Sequence, residues 1–369
     1  MNCANKFSSD NNPLSKMNSG ITLVLIIIVS LFSKCQKGND NTLLVKKTFT
    51  NPVFDGQDPW YIKKDNFYYY CFSVNNGIAV SRSKYLTRLG EMRRVWDAPS
   101  TGWNKSCVWA PELHFIDGRW YIYYAAGESG TPFIYQRTGV LQSSTDDPFS
   151  SYSDKGMLYT GDNPDRITDN IWAIDMSVFP YKNQLYAVWS GWEKQALTDK
   201  TSQQLYLAEM ENPYTMKGLR IKISSPDQEW EKGGLFDLQE GPEVLVKDGN
   251  LFIVYSCRES WTINYRLGLL KLKDGESNLL SSSNWVKKGP VFQGPLGVGH
   301  CSFTTSPDGT EDWIIYHSKK NTADGWEREI LLQSFKWEAD GYPDFGLPLA
   351  KGVGINRPSG EYEAEVNSK

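Results

Sequence analysis

Trp109-Ala-Pro-Glu-Leu, running on to Trp120-Tyr-Ile-Tyr-Tyr-Ala-Ala, and Glu240-Gly-Pro-Glu-Val, running on to Leu251-Phe-Ile-Val-Tyr-Ser-Cys, are two copies of one pattern. Each opens on a polar or aromatic residue and continues as a short apolar strand. It then turns at Asp-Gly and returns as an aromatic strand that ends in small residues. Three further copies share the frame: Asp58-Pro-Trp-Tyr-Ile with Phe67-Tyr-Tyr-Tyr-Cys-Phe-Ser, Asp175-Met-Ser-Val-Phe with Leu185-Tyr-Ala-Val-Trp-Ser-Gly, and His300-Cys-Ser-Phe-Thr with Trp313-Ile-Ile-Tyr-His-Ser. The intervening residues, Lys64-Asp65-Asn66, Asp117-Gly118, Lys182-Asn183, Asp248-Gly249 and Asp308-Gly309, are of hairpin type.

Working outward, the leading residues 58, 109, 175, 240 and 300 recur at roughly 50 to 66 residues, the length of one four-stranded propeller blade. Later strand-like stretches fill the intervals: Gly77 to Ser83, Gly139 to Ser144, Gln204 to Met210 and Arg266 to Lys271. The expected fold is therefore all-β, a five-bladed β-propeller over residues 41–358. A leader and tether occupy 1–40 and a polar tail 359–369, and the chain after Pro348 is expected to fray. An open sandwich is the rival, but it does not account for five evenly spaced copies.

The chain has 369 residues, 40% hydrophobic and 22% charged, with a formal charge of -4. No basic field is present to grip a phosphate backbone, so nucleic acid is not expected as a partner. Aromatic content stands out, with 14 Trp, 20 Tyr and 16 Phe. Most of these rings are read as core, and the surplus suits stacking on sugar rings. Lys16 precedes a short apolar run, Ile21 to Phe32, which reads as an export signal too short to span a bilayer with ease. Cys35 with the polar stretch after it resembles a lipoprotein leader, so a membrane tether through a lipidated Cys35 is expected alongside plain release. Cys71, Cys107, Cys257 and Cys301 show no metal-type spacing and read as small buried hydrophobes, a disulfide between distant blades being open. No structural zinc site is expected with His114, His300 and His317 as the only imidazoles.

In a propeller the innermost strand of every blade runs in the same sense along the axis. Asp58, Trp109, Asp175, Glu240 and His300 should accordingly meet at one mouth. Gathering three carboxylates there is electrostatically costly, because neighbouring anions raise one another's pKa, and structure alone does not require it. Glu112 and Glu243 occupy equivalent places in two copies, so the repeated glutamate reads as structural and Glu240 as the stronger candidate acid. Asp55, Asp65, Asp117, Asp248 and Asp308 read as turn or loop residues bonded to local backbone. Paired carboxylates on a sugar-stacking scaffold divide into an acid that protonates a glycosidic oxygen and a base or nucleophile, with the third tuning the acid.

Gln57-Asp58-Pro59, Trp109-Ala-Pro-Glu-Leu-His-Phe, Ile174-Asp175, Glu240-Gly-Pro-Glu-Val and Gly299-His300-Cys-Ser-Phe together resemble glycoside hydrolase family 43 from about Asn51 to Leu349. The resemblance implies hydrolysis with inversion. Asp58 then matches the general base, Glu240 the general acid and Asp175 the carboxylate that raises and orients the acid. Inversion implies base and acid carboxyls roughly 6.5–9.5 Å apart. Trp109 would be a wall on which the terminal sugar stacks, and Arg328 a hydroxyl contact. His300 would be a ligand to substrate or solvent. No cofactor is required, although a channel metal ion near His300 is allowed by the resemblance. Tyr121-Ile-Tyr-Tyr-Ala-Ala-Gly and Tyr342-Pro-Asp-Phe-Gly resemble the exo-acting α-L-arabinofuranosidases, and the chain stops soon after its fifth repeat, unlike many β-xylosidases. The expected substrate is therefore terminal L-arabinofuranose on an oligo- or polysaccharide such as arabinan or arabinoxylan, the protein acting as a monomer. Endo-arabinanase, β-xylosidase and a surface protein that only binds glycans are the alternatives.

Overall fold

The computed structural model describes residues 45–163 and 169–364, and the leader with Cys35 lies outside them. Among the described residues no helix is long and apolar enough to cross a membrane. Among the described residues twenty-one strands fall into five blades around one axis, as expected. Blade 1 comprises Trp60–Lys64, Phe67–Val74, Gly77–Ser83 and Glu91–Asp97, and blade 2 comprises Ser106–Ile116, Arg119–Gly127, Arg137–Ser143 and Tyr152–Met157. Blade 3 is Ala173–Tyr181, Gln184–Gly191, Gln204–Asn212 and Thr215–Ser224, and blade 4 is Gln239–Lys247, Asn250–Cys257, Arg266–Leu272 and Trp285–Gln293. Blade 5 contains Val298–Thr305, Asp312–Lys319 and Arg328–Trp337. Apart from one strand in blade 5, the blade pairings are antiparallel between strands consecutive in sequence, so every turn predicted from the repeat is a hairpin. Asp117-Gly118, Lys182-Asn183 and Asp248-Gly249 have positive φ at both turn residues, the twist that two-residue hairpins need.

The fourth strand of blade 5 is supplied by both ends of the chain. Phe54–Asp55 pairs with Ile330 and Glu329 at one end of Arg328–Trp337, and Pro343–Asp344 pairs with Trp337 and Lys336 at the other. Asn51 extends this seam through its side chain, whose Nδ2 donates to Leu332 O (2.9 Å) while its Oδ1 accepts from Leu332 N (3.1 Å). The chain after Pro348, expected to fray, is instead fastened across the N-terminal segment. Gly354–Asn356 pairs with Thr48–Thr50 and Glu363–Ala364 with Val45–Lys46. Glu361 is buried, accepts the Leu86 amide at 2.8 Å and pairs with Arg357 at 2.6 Å. In sequence Glu361 falls in the stretch read as a polar tail, whereas here the carboxylate caps buried donors.

The core is five wedges, one between each pair of neighbouring blades. Leu113, Trp120 and Ile122 face Trp60, Cys71 and Val80 in one; Phe252, Val254 and Leu269 face Ile314, Tyr316 and Leu331 in another. Radial blades diverge outward, so large rings fill the gaps that aliphatic chains cannot, which accounts for most of the aromatic surplus. Cys71, Cys257 and Cys301 are buried free thiols. Because strands alternate in direction, second-to-third and fourth-to-first connections open on the same face as the starts of the inner strands. That face is uneven. Among the second-to-third connections blade 1 has only the tight turn Asn75-Asn76, whereas blades 2 to 5 have the longer stretches 128–136, 192–203, 258–265 and 320–327.

Candidate active site

At the mouth four of the five inner strands depart from regular register, that of blade 1 pairing evenly. Two residues bulge between paired positions at Trp109/Glu112, Ile174/Ser177, Glu240/Glu243 and Gly299/Ser302. The first bulged residue has positive φ in every case: Ala110 (39°), Asp175 (54°), Gly241 (54°) and His300 (45°), with Asp58 (48°) at the corresponding place in blade 1. Side chains other than glycine are strained there, and such bulges re-aim residues toward a site. The five leading residues predicted to share one slot therefore divide between two. Asp58, Asp175 and His300 take the positive-φ slot with Ala110 and Gly241. Trp109 and Glu240 take the residue before. At Gly241 a Cβ would lie 3.0 Å from His300 Cγ, so glycine is what lets the imidazole lie against blade 4 beside Glu240.

Asp58, Asp175, Glu240, His300 and Arg328 come together at the axis. Asp58 Oδ1 lies 3.3 Å from His300 Nδ1, 3.4 Å from Arg328 Nη1 and 3.4 Å from His317 Nδ1. Its own amide donates to His317 Nδ1 at 3.0 Å. Burial would raise the Asp58 pKa, but His300 and Arg328 outweigh it and hold the carboxyl well below the usual range. A contact of about 3.4 Å at an effective dielectric near 20 is worth on the order of 4 kcal/mol before desolvation, enough to decide the sign. Arg328 is itself buried, and its Nη2 donates to Gln57 Oε1 at 2.8 Å. Burial and the Arg328 charge push His317 down to about 3, so a neutral ring accepts the Asp58 amide.

Asp175 and Glu240 move the other way. Burial, then the Glu240 and Asp58 charges, push Asp175 up to about 7, although His300 and the Gly241 amide (3.0 Å to Oδ2) oppose this. Burial, Asp58 and Glu259 push Glu240 up to about 7 against the opposing effects of Tyr265 and Arg328. The mouth thus holds one firm anion beside two carboxyls poised near neutrality. His300 is fixed through its amide, which donates to Ser256 Oγ at 2.7 Å. Among the described residues no group of three or more His, Cys, Asp and Glu converges as a metal cage. Trp109 lies farther out, its ring edge-on to Phe133 at 5.0 Å.

A second layer lies deeper along the axis. Glu112 and Glu243 are buried near Ser177, and burial raises both pKa values well above the ordinary range, Glu112 further because Glu243 is close. Glu112 Oε2 is 3.0 Å from Nε2 of buried His114, which burial pushes down to about 3. The His114 ring also hydrogen-bonds the Val178 backbone, and with Glu112 held protonated by burial the pair carries no charge. This layer is neutral, and the glutamate read as repeated and structural sits in it.

Sequence reasoning missed His317, Gln57, Ser256 and Tyr265. His317 is the one histidine in a second strand, flanked by Tyr316 and Ser318 in a stretch that otherwise reads as core. Its stacking on Tyr265, with centroids 5.4 Å apart, joins blades 4 and 5 beneath the mouth.

Comparison with known proteins finds that the profile of Glycosyl hydrolases family 43 matches residues 49–343. The chain is 32% identical over 325 residues to an extracellular exo-α-(1→5)-L-arabinofuranosidase of Streptomyces avermitilis, covering 83% of this chain and 65% of that protein. It is 33% identical to α-L-arabinofuranosidase 43 of Humicola insolens, covering 81% of this chain and 63% of the relative. It thus spans somewhat under two thirds of the length of these two relatives. Among solved structures, an α-L-arabinofuranosidase from Lactobacillus brevis superimposes with a TM-score of 0.74 at 31% identity, covering 83% of this chain and 98% of that one.

Proposed function

Since the chain belongs to glycosyl hydrolases family 43, we propose that it removes terminal L-arabinofuranose from arabinan or arabinoxylan by hydrolysis with inversion. The observation that carries this reading is the division of the mouth carboxyls into one held anionic and two raised to about 7. Asp58 takes a proton from water as the water oxygen bonds to the anomeric carbon. The bond to the leaving oxygen breaks, and Glu240 gives that oxygen its proton. Asp175, close enough to disfavour a second anion, keeps Glu240 protonated near neutral pH. Arg328 and His300 keep Asp58 ionised and leave donors for sugar hydroxyls, and Trp109 offers a ring at the edge. One water is consumed, and exchange of protons with solvent restores both carboxyls.

The arabinose preference draws on the relatives of Streptomyces avermitilis and Humicola insolens, both named as arabinofuranosidases. Export through the leader, with Cys35 as a lipid anchor, belongs to the same reading; fatty-acid labelling of wild type and Cys35→Ala distinguishes anchoring from release. The main test offers purified protein an aryl α-L-arabinofuranoside and an aryl β-xyloside, with NMR reading the first anomer formed. Arabinose released as the β-anomer is the expected result. Xylose as the main product, retention of configuration, or full activity in Asp58→Asn would overturn the corresponding part.

A further inference from the structure

Three aromatic residues stand on the mouth face beyond the carboxyls. The Phe236 and Trp261 rings are 6.2 Å apart, and Trp261 and Trp326 are 5.0 Å apart. Trp326 is 43% exposed, unlike the rings of the wedges. The group is continuous with the site, for the Arg328 guanidinium that touches Asp58 lies 5.2 Å from the Trp326 ring centre. It is also held firmly. Buried Lys319 donates to Trp261 O at 2.8 Å and Gly325 O at 3.0 Å, and the Gly325 amide donates to Trp261 O at 2.9 Å, so the two loops are clamped together. Lys200 Nζ lies over both Phe236 (5.5 Å) and Trp261 (5.3 Å), placing a hydrogen-bond donor at their edge.

We propose that Phe236, Trp261 and Trp326 form a stacking platform for the sugar residues next to the scissile bond on its leaving-group side. The side follows from chain geometry. Phe236 precedes Glu240 by four residues, and Trp261 follows Cys257, whose pairing partner is Gln239. The platform therefore grows from both strands that hold the proposed proton donor. Its chemistry suits a neutral sugar, with the C–H face on the rings and the hydroxyl rim toward Lys200 and solvent. A clamped platform loses little entropy on binding. The inference rests on the mouth being the cleavage site.

The test uses arabino-oligosaccharides of two to six residues. Calorimetry on the full chain carrying Glu240→Gln measures affinity, and the wild-type background measures kcat/KM. Affinity is expected to rise with chain length, and combined Trp261→Ala and Trp326→Ala to reduce the long-to-short ratio roughly ten-fold. Trp→Phe at both positions should restore part of that ratio, which general misfolding does not predict. Equal loss on short and long ligands, or an undiminished ratio, overturns the platform even if hydrolysis proceeds. So does a change confined to self-association, which would make the rings an interface between copies. If wild type cleaves nothing while Glu240→Gln still binds in a ring-dependent, length-dependent way, the platform stands and the hydrolytic reading falls.

Discussion

The two carboxyl layers of the axis have the same raw material and opposite outcomes. At the mouth, Asp58 faces Arg328 and His300 and is held anionic, and its charge helps push Asp175 and Glu240 toward neutrality. One layer down, Glu112 and Glu243 have Ser177 and a neutral His114 for company, and burial keeps both protonated. Depth alone therefore does not make a buried carboxyl reactive. What differs is an adjacent guanidinium, which fixes one charge and lets that charge sort its neighbours.

Removing the outer groups should have the largest effect. Asp58→Asn and Glu240→Gln are expected to lower kcat/KM by about 10²–10⁴-fold on an aryl arabinofuranoside. The next test makes the mouth resemble the deeper layer: Arg328→Met should raise the Asp58 pKa, so that the acidic limb of the pH–rate profile moves to higher pH by about 1–3 units. In wild type the alkaline limb should fall near pH 7 as Glu240 loses its proton, and Asp58 should remain ionised throughout. Asp175→Asn should move that alkaline limb downward, with roughly ten-fold lower activity at neutral pH.

The smallest effect on rate is expected in the inner layer, where Glu112→Gln and Glu243→Gln should alter kcat by less than about three-fold. Their signature is in stability. The folded chain keeps protons on these carboxyls that the unfolded chain releases above about 4.5. Unfolding free energy should therefore fall as pH rises above that value, by about 1.4 kcal/mol per pH unit for each carboxyl until its folded pKa is reached. Denaturant titrations from pH 5 to 8 should show a shallower slope in each variant. An unchanged slope would mean that the inner glutamates ionise freely and the contrast is false.

The fold was legible because the blade announces itself twice, by the five openings and by turn residues such as Asp117-Gly118 and Lys182-Asn183. The meeting of Asp58, Asp175, Glu240 and His300 followed from topology. The slot assignment was not legible. Asp175 and Glu240 head their strands with similar chemistry, and only the backbone conformation reveals that Asp175 pairs in place with Gly241. His317 was hidden for another reason: its strand is otherwise core, and its task, accepting the Asp58 amide, spans 259 residues of sequence. The buried end of the chain was missed because the acidity of Glu361 gives no sign of the donors waiting for it around Thr87.

The seam of blade 5 has a consequence for when this chemistry exists. Asp58 follows the pairing residue Asp55 by three positions, and Arg328 immediately precedes the other pairing residue, Glu329. Asp58 and Arg328 thus arrive from opposite termini and become neighbours only when the ring shuts. On the proposed reading, an unfolded thread has every ingredient for hydrolysis and no assembled mouth, so the latch that completes the architecture also arms it.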